Sequence, residues 1–73
     1  MGSPIVTWEG GPTAYSADYE GLRLYVDRAQ DGWGVVVERA SDGAIVAIEA
    51  EIDDLSDAKG RAILLPWELG EVE

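Results

Sequence analysis

Three acidic-Gly pairs, Glu20-Gly21, Asp31-Gly32 and Asp42-Gly43, recur at intervals of 11 residues through the middle of the chain. Asp-Gly between alternating segments signals a two-residue hairpin turn, because primed turns demand positive φ, which Gly adopts freely and Asp tolerates. Glu-Gly is a weaker form of the same signal. The marks separate four segments, Thr13–Tyr19, Leu22–Ala29, Gly34–Ala40 and Ala44–Ile52. This spacing predicts an antiparallel β-meander, and the segments are too dissimilar to be units of a repeat.

Pairing outward from each turn tests the reading, since a slip of one residue sends every side chain to the opposite face. With two-residue turns throughout, Tyr19, Ala17 and Tyr15 fall opposite Leu22, Leu24 and Val26. Around Asp31-Gly32, Val26 meets Val37 and Leu24 meets Arg39. Around Asp42-Gly43, Arg39 meets Val46, Val37 meets Ile48, Val35 meets Ala50 and Trp33 meets Ile52. One face then gathers Tyr15, Ala17, Tyr19, Leu22, Leu24, Val26, Trp33, Val35, Val37, Ala44, Val46, Ile48, Ala50 and Ile52, interrupted only by Arg28 and Arg39. The opposite face holds Asp18, Glu20, Arg23, Tyr25, Asp27, Val36, Glu38, Ile45, Ala47, Glu49 and Glu51. Its six carboxylates share a single Arg, so it is expected to be wet or covered by a partner that accepts negative charge.

The apolar face needs a cover, and one helical pattern follows. Leu55, Ala58, Ala62 and Leu65 make a stripe of 3.6-residue period. Ser56 is the expected N-cap, Asp57 suits the positive end of the helix dipole, and Pro66 is expected to end the helix near Leu65. Trp67 and Leu69 would then fold back onto the sheet edge. The predicted fold is α+β: a four-stranded antiparallel meander over 13–52, with one helix over 55–65 packed on one face and a tail over 66–73. Residues 1–12 form an N-terminal arm, and Ile5–Glu9 would add a fifth, edge strand. At 73 residues the chain has core for a single domain.

Fifteen Asp and Glu against five Lys and Arg give a formal charge of −10. That excess argues against direct binding of a phosphate backbone, whereas 47% hydrophobic residues argue against an acidic disordered tail. With no Cys and no His, thiolate and imidazole metal sites, haem ligation and disulfides are excluded. Ser and Thr hydroxyls have no imidazole base, Gly10-Gly11-Pro12 lacks the Lys of a phosphate loop, and a single-layer sheet offers no cleft to raise a carboxyl pKa. No catalytic activity, cofactor or metal site is expected. The opening Met1-Gly2-Ser3-Pro4-Ile5-Val6 has neither a basic start nor an apolar run of signal-peptide length, and Val6 breaks the myristoylation pattern. The expected setting is soluble and cytoplasmic.

The run Glu49, Glu51, Asp53, Asp54, Asp57 places five carboxylates in nine residues, without the EF-hand spacing of a calcium loop. A solvated strand end leading into an Asp-rich helix start explains it in structural terms. The alternative is mimicry of nucleic acid: carboxylates on alternate strand residues repeat every ~6.6 Å, near the spacing of successive phosphates. With Asp18, Glu20, Asp27 and Glu38 on neighbouring strands they would form an anionic array attractive to a basic channel. Tyr25, with Val36 and Ile45, makes a small apolar island on that face, an arrangement suited to contact with a basic protein. Trp33 is expected in the core, while Trp8 and Trp67 lie outside the meander, where an exposed ring would serve as an interface anchor.

The meander with Asp31-Gly32-Trp33-Gly34-Val35-Val36-Val37-Glu38, then Asp42-Gly43-Ala44-Ile45-Val46-Ala47, then Leu55-Ser56-Asp57-Ala58-Lys59, resembles the small acidic β-meander-plus-helix proteins encoded by phages and prophages, many anti-CRISPR proteins among them. The likeness spans residues 13–65 in general character. It implies an inhibitor, acting in the cytoplasm of a bacterial host, that binds a Cas effector or other basic DNA-binding protein where DNA would otherwise lie. The expected contact residues are those nine carboxylates, Asp18, Glu20, Asp27, Glu38, Glu49, Glu51, Asp53, Asp54 and Asp57, with Tyr25. The alternative expectation is a small homodimeric structural or adaptor protein.

Overall fold

The computed structural model describes residues 6–72. Within them the chain lays down β1 (Glu9–Gly10), β2 (Ala14–Tyr19), β3 (Leu22–Ala29), β4 (Gly32–Arg39) and β5 (Ile45–Ile52), followed by α1 (Leu55–Glu68). The strands lie in chain order as one antiparallel sheet, and α1 packs on one face of it. The fold is therefore α+β, a five-stranded meander with a C-terminal helix. Among the described residues of the edge strand expected at Ile5–Glu9, only Glu9 pairs, with Ser16, and Gly10 extends it opposite Tyr15. Ile5 lies outside the described residues, as does Glu73 of the tail.

The three hairpins obey the turn signals to different degrees. Glu20-Gly21 is a two-residue turn with φ of 51° and 77°, the positive pair that a type I′ turn requires, and Gly supplies the second without strain. The pairs Tyr19–Leu22, Ala17–Leu24 and Tyr15–Val26 form as expected. The second tip is Gln30-Asp31 rather than Asp31-Gly32, so Val26 meets Val35 and Leu24 meets Val37. A displacement of two residues changes each partner but no face, because side chains alternate with a period of two. Gly32 answers to a different need. Its φ is +132°, and a Cβ there would approach the Ile52 carbonyl oxygen to 2.6 Å, where β5 runs beside β4.

At the third hairpin the two-residue turn does not form. The chain turns through the four residues Ala40–Gly43, closed by Arg39 N–H donating to the Ala44 carbonyl (2.7 Å) and Gly43 N–H to the Arg39 carbonyl (2.8 Å). Glu38 then meets Ile45, Val37 meets Ala47, Val36 meets Ile48 and Val35 meets Glu49, while Trp33 meets Ile52 as expected. Two irregularities, between Val37 and Glu38 and between Trp33 and Val35, each add one residue to β5. The second contains Glu51 at φ +60°. Between these bulges the register is one residue out from the expected one. Ala47 and Glu49 therefore face the helix, while Ile48 turns to the open face and is 69% exposed. Ala50, expected in the core, is exposed too.

The core is built from cross-strand rows on the covered face: Tyr15–Val26–Val35, Ala17–Leu24–Val37–Ala47 and Tyr19–Leu22. Leu24, Val26, Val35 and Val37 are fully buried. Opposite them α1 presents Ala58 and Ala62, also fully buried, with Leu65 and the half-buried Leu55, the stripe expected from sequence. The small side chains let the helix lie close to the sheet, and Trp33 closes the core at one end as expected.

The helix starts at Leu55 as expected, but its capping residue and its end differ from expectation. The N-cap is Asp54, not Ser56: its extended backbone and its Oδ2, which accepts from the N–H groups of Ser56 (3.0 Å) and Asp57 (3.4 Å), satisfy two otherwise unpaired donors. At the other end α1 runs through Pro66 to Glu68. Pro66 is buried against the core and lies in the last turn, where losing one N–H interrupts little of the helix. The helix stops at Gly70, in left-handed conformation. There Gly70 N–H donates to the Trp67 carbonyl (3.2 Å) and Glu71 N–H to the Pro66 carbonyl (2.8 Å), a Schellman closure that brings Val72 into the core.

Candidate partner-binding surface

The flanks of α1 occupy much of the chain's scarce positive charge. Arg61 makes a side-on pair with Glu49, Nε to Oε1 at 2.9 Å and Nη2 to Oε2 at 2.7 Å, and also bonds Glu68. This bidentate contact holds the Glu49 carboxyl below its usual pKa and raises that of Arg61. On the other flank Lys59 lies over the rings of Tyr15 (4.2 Å) and Trp8 (5.6 Å), and the Trp67 indole N–H donates to the Tyr19 hydroxyl at 2.7 Å. Trp67 is thus part of the helix, tied to β2 at one end and 47% exposed, while Leu69 remains half in solvent instead of folding back. Arg39 pairs with Asp42 and Glu71, and Arg28 stacks on Trp33. Arg23 bonds Asp18 and lies over Tyr25. All five cationic side chains are therefore engaged by neighbours within the chain.

The carboxylates are not balanced in the same way. Asp18, Asp42, Glu49, Glu68 and Glu71 take the ion pairs. Among the described residues Glu9, Glu20, Asp27, Asp31, Glu38, Glu51, Asp53, Asp54 and Asp57 take none. Topology gathers most of these at one end of the sheet. Ala29 pairs Gly32, and Trp33 pairs Ile52, so the β3–β4 tip lies beside the end of β5 and the start of α1. Asp27, Asp31, Glu51, Asp53 and Asp57 are all exposed at or near this end.

On the open face, strand pairing aligns Glu9, Ser16, Tyr25, Val36 and Ile48 in one row across all five strands. A neighbouring row runs Asp18–Arg23–Glu38–Ile45, and another Ala14–Asp27–Gly34. Tyr25 donates its hydroxyl to Glu38 at 3.3 Å. Beside it is a hollow of about 270 Å³ lined by Glu9, Tyr15, Tyr25 and Asp27 with the small residues Gly10, Ala14 and Ser16.

Compared with family models, curated proteins and solved structures, the chain matches none. What it binds must therefore be argued from this surface.

Of the ten residues expected at the contact, Asp18, Tyr25, Asp27 and Glu38 do share the open face, and Glu20 sits at the tip of the β2–β3 hairpin. Glu51 and Asp53 belong to the acidic end, beside Asp57. Glu49 does not belong to the surface: the one-residue register shift places it on the covered face, bonded to Arg61. Asp54 is committed to the helix cap. An evenly spaced array running Glu49, Glu51, Asp53 along one strand face is thus replaced by an acidic sheet end. Sequence reasoning passed over Glu9, Asp31 and Ile48. Asp31 was visible as a turn residue, and the Trp33–Ile52 pairing already placed it beside the carboxylates of the β5–α1 corner. No side chain cluster among the described residues is arranged to hold a metal ion, and no helix among them is long and apolar enough to cross a membrane.

Proposed function

We propose that this protein is a non-enzymatic acidic inhibitor that docks on a basic, nucleic-acid-handling protein and blocks its access to DNA. The observation carrying this reading is the charge imbalance: three of the five cations are ion-paired within the chain and the other two lie against aromatic rings, while most of the unpaired carboxylates are gathered at one sheet end and along the open face. A surface built to bind phosphates is attracted to such an arrangement by the same long-range field and loses that attraction with salt. The likeness to phage-encoded inhibitors makes a Cas effector the favoured target. A homodimer is the weaker reading, because bringing together two chains of charge −10 works against association.

The test is DNA binding by a Cas effector, followed by fluorescence anisotropy with increasing amounts of the protein over a salt series. Inhibition that weakens as salt rises, and that is lost on reversing Asp31, Glu51 and Asp53 to Lys, is the expected result. These three residues are exposed and make no ion pair or cap, so their reversal leaves the fold in place. Undiminished inhibition by the triple variant, or no inhibition at all, overturns the proposal.

A further inference from the structure

We infer that the hollow beside Tyr25 receives a single arginine side chain of the partner, bracketed by Glu9 and Asp27. The inference rests on the docking proposal for its biological occupant, but the site's chemistry stands on the geometry of the sheet. Glu9 lies on β1 and Asp27 on β3, in adjacent rows of one face. At about 4.8 Å per strand and about 3.3 Å per residue, their backbones are roughly 10–12 Å apart. Once each side chain reaches inward, that span matches a planar guanidinium hydrogen-bonded on both sides. The hollow lies between them, and Tyr25 supplies an aromatic wall.

The chain itself shows how Tyr25 receives such a group. Arg23 lies 5.8 Å from the Tyr25 ring centroid while its Nη1 bonds the Asp18 carboxylate at 3.0 Å. The hollow repeats this combination of ring and carboxylate one row away, with two carboxylates instead of one. None of its lining residues is a Lys or Arg. Of the two cations nearby, Arg23 is held by Asp18 and Lys59 lies on the Tyr15 ring, and neither pairs with Glu9 or Asp27, which are left to a cation from outside. Guanidinium is favoured over ammonium because it is planar, stacks on a ring and presents donors toward carboxylates on two sides, whereas an ammonium is a compact and strongly hydrated point charge.

The test titrates the full chain, labelled with ¹⁵N, with acetyl-Gly-Arg-Gly-amide, and in parallel with the Lys and citrulline versions of the same tripeptide. Saturable shifts confined to the amides around Glu9, Ser16, Tyr25 and Asp27 are expected for the Arg peptide, with affinity at least threefold above Lys and no saturation with citrulline. Glu9→Gln and Asp27→Asn should each weaken binding about fivefold or more with spectral dispersion unchanged, since both side chains are exposed. Shifts spread equally over Asp31, Asp53 and Asp57, or equal affinity for Lys, overturn the assignment. Because the probe is a peptide and no effector is present, failure here leaves the inhibition assay unaffected. Failure of that assay in turn leaves this site standing.

Discussion

Truncating Ile48 and Val37 separately tests the register of β5, on which the composition of both sheet faces depends. Without bulges, Ile48 lies in the core opposite Val37. As observed, it sits on the open face at 69% exposure, while Val37 is completely buried. Fully burying an Ile side chain is worth about 1.5–3 kcal/mol. With roughly a third of its surface covered, Ile48→Ala should cost about 0.5–1 kcal/mol. Val37→Ala removes two carbons at ~0.8 kcal/mol each and leaves a cavity beneath α1, for a total of about 2–3 kcal/mol. A chain of this length has roughly 4–11 kcal/mol of stability in all, so the two outcomes are well separated. Urea unfolding followed by Trp fluorescence reads the difference directly. At about 1 kcal/mol per molar, the midpoint moves by less than ~1 M for Ile48→Ala and by ~2 M or more for Val37→Ala. A loss at Ile48 equal to that at Val37 would refute the bulged register and return Glu49 to the open face.

Three further outcomes follow from the contacts. Asp54→Ala should lower stability by about 1 kcal/mol through loss of the helix cap, while Ser56→Ala, in the first turn, should be nearly silent in the same urea assay. Glu49 has a depressed carboxyl pKa, so the stability it contributes is fully present above its ordinary value of 4.5 and is lost as pH falls through the lower folded value. Thermal melts of the parent and Glu49→Gln should therefore differ most at neutral pH and converge on acidification; a constant gap from pH 7 to pH 3 would count against the pair. Trp67→Phe and Tyr19→Phe should each cost about 0.5–1.5 kcal/mol, and the double variant less than the two losses added, because both remove the same hydrogen bond.

The hairpins show what a turn signal can and cannot carry. Glu20-Gly21 sets turn and register together, because two consecutive positive φ values leave one pairing available. Around Asp31 the alternation of apolar residues preserved the faces even though each expected partner was two residues away. The core residues Val26, Val35 and Leu24 were thus legible while their pairings were not. In β5 the sequence Ile45-Val46-Ala47-Ile48-Glu49-Ala50 has apolar residues at both parities, so alternation alone cannot choose a face. The choice is made by a four-residue loop and two bulges, and by the gain from placing Glu49 against Arg61, a contact between residues 12 apart that no local pattern displays. Pro66 misled for a related reason. It does break helices in their interior, but in a last turn closed by Gly70 and packed on the core its missing donor is tolerated.

A one-layer sheet with one helix covers a single face, and that asymmetry decides where sequence speaks of folding and where it speaks of binding. On the covered face, burial accounts for nearly every apolar residue. On the open face it does not: Ile48 contributes little to stability, yet it extends the row Tyr25–Val36–Ile48, flanked by Asp27 on one side and Glu38 on the other. Strand propensity favours an Ile there, but Thr would satisfy that preference with less exposed apolar surface. The row is explained if a partner's apolar side chain rests on it while the partner's cations meet the flanking carboxylates. This predicts a dissociation between the two readouts. Ile48→Thr should shift the urea midpoint by less than ~1 M, in line with its exposure, and should weaken inhibition of the effector more than threefold even at high salt, where the electrostatic share is screened. An Ile48→Thr variant that inhibits as well as the parent would confine the contact to the acidic sheet end and leave the apolar row to strand propensity alone.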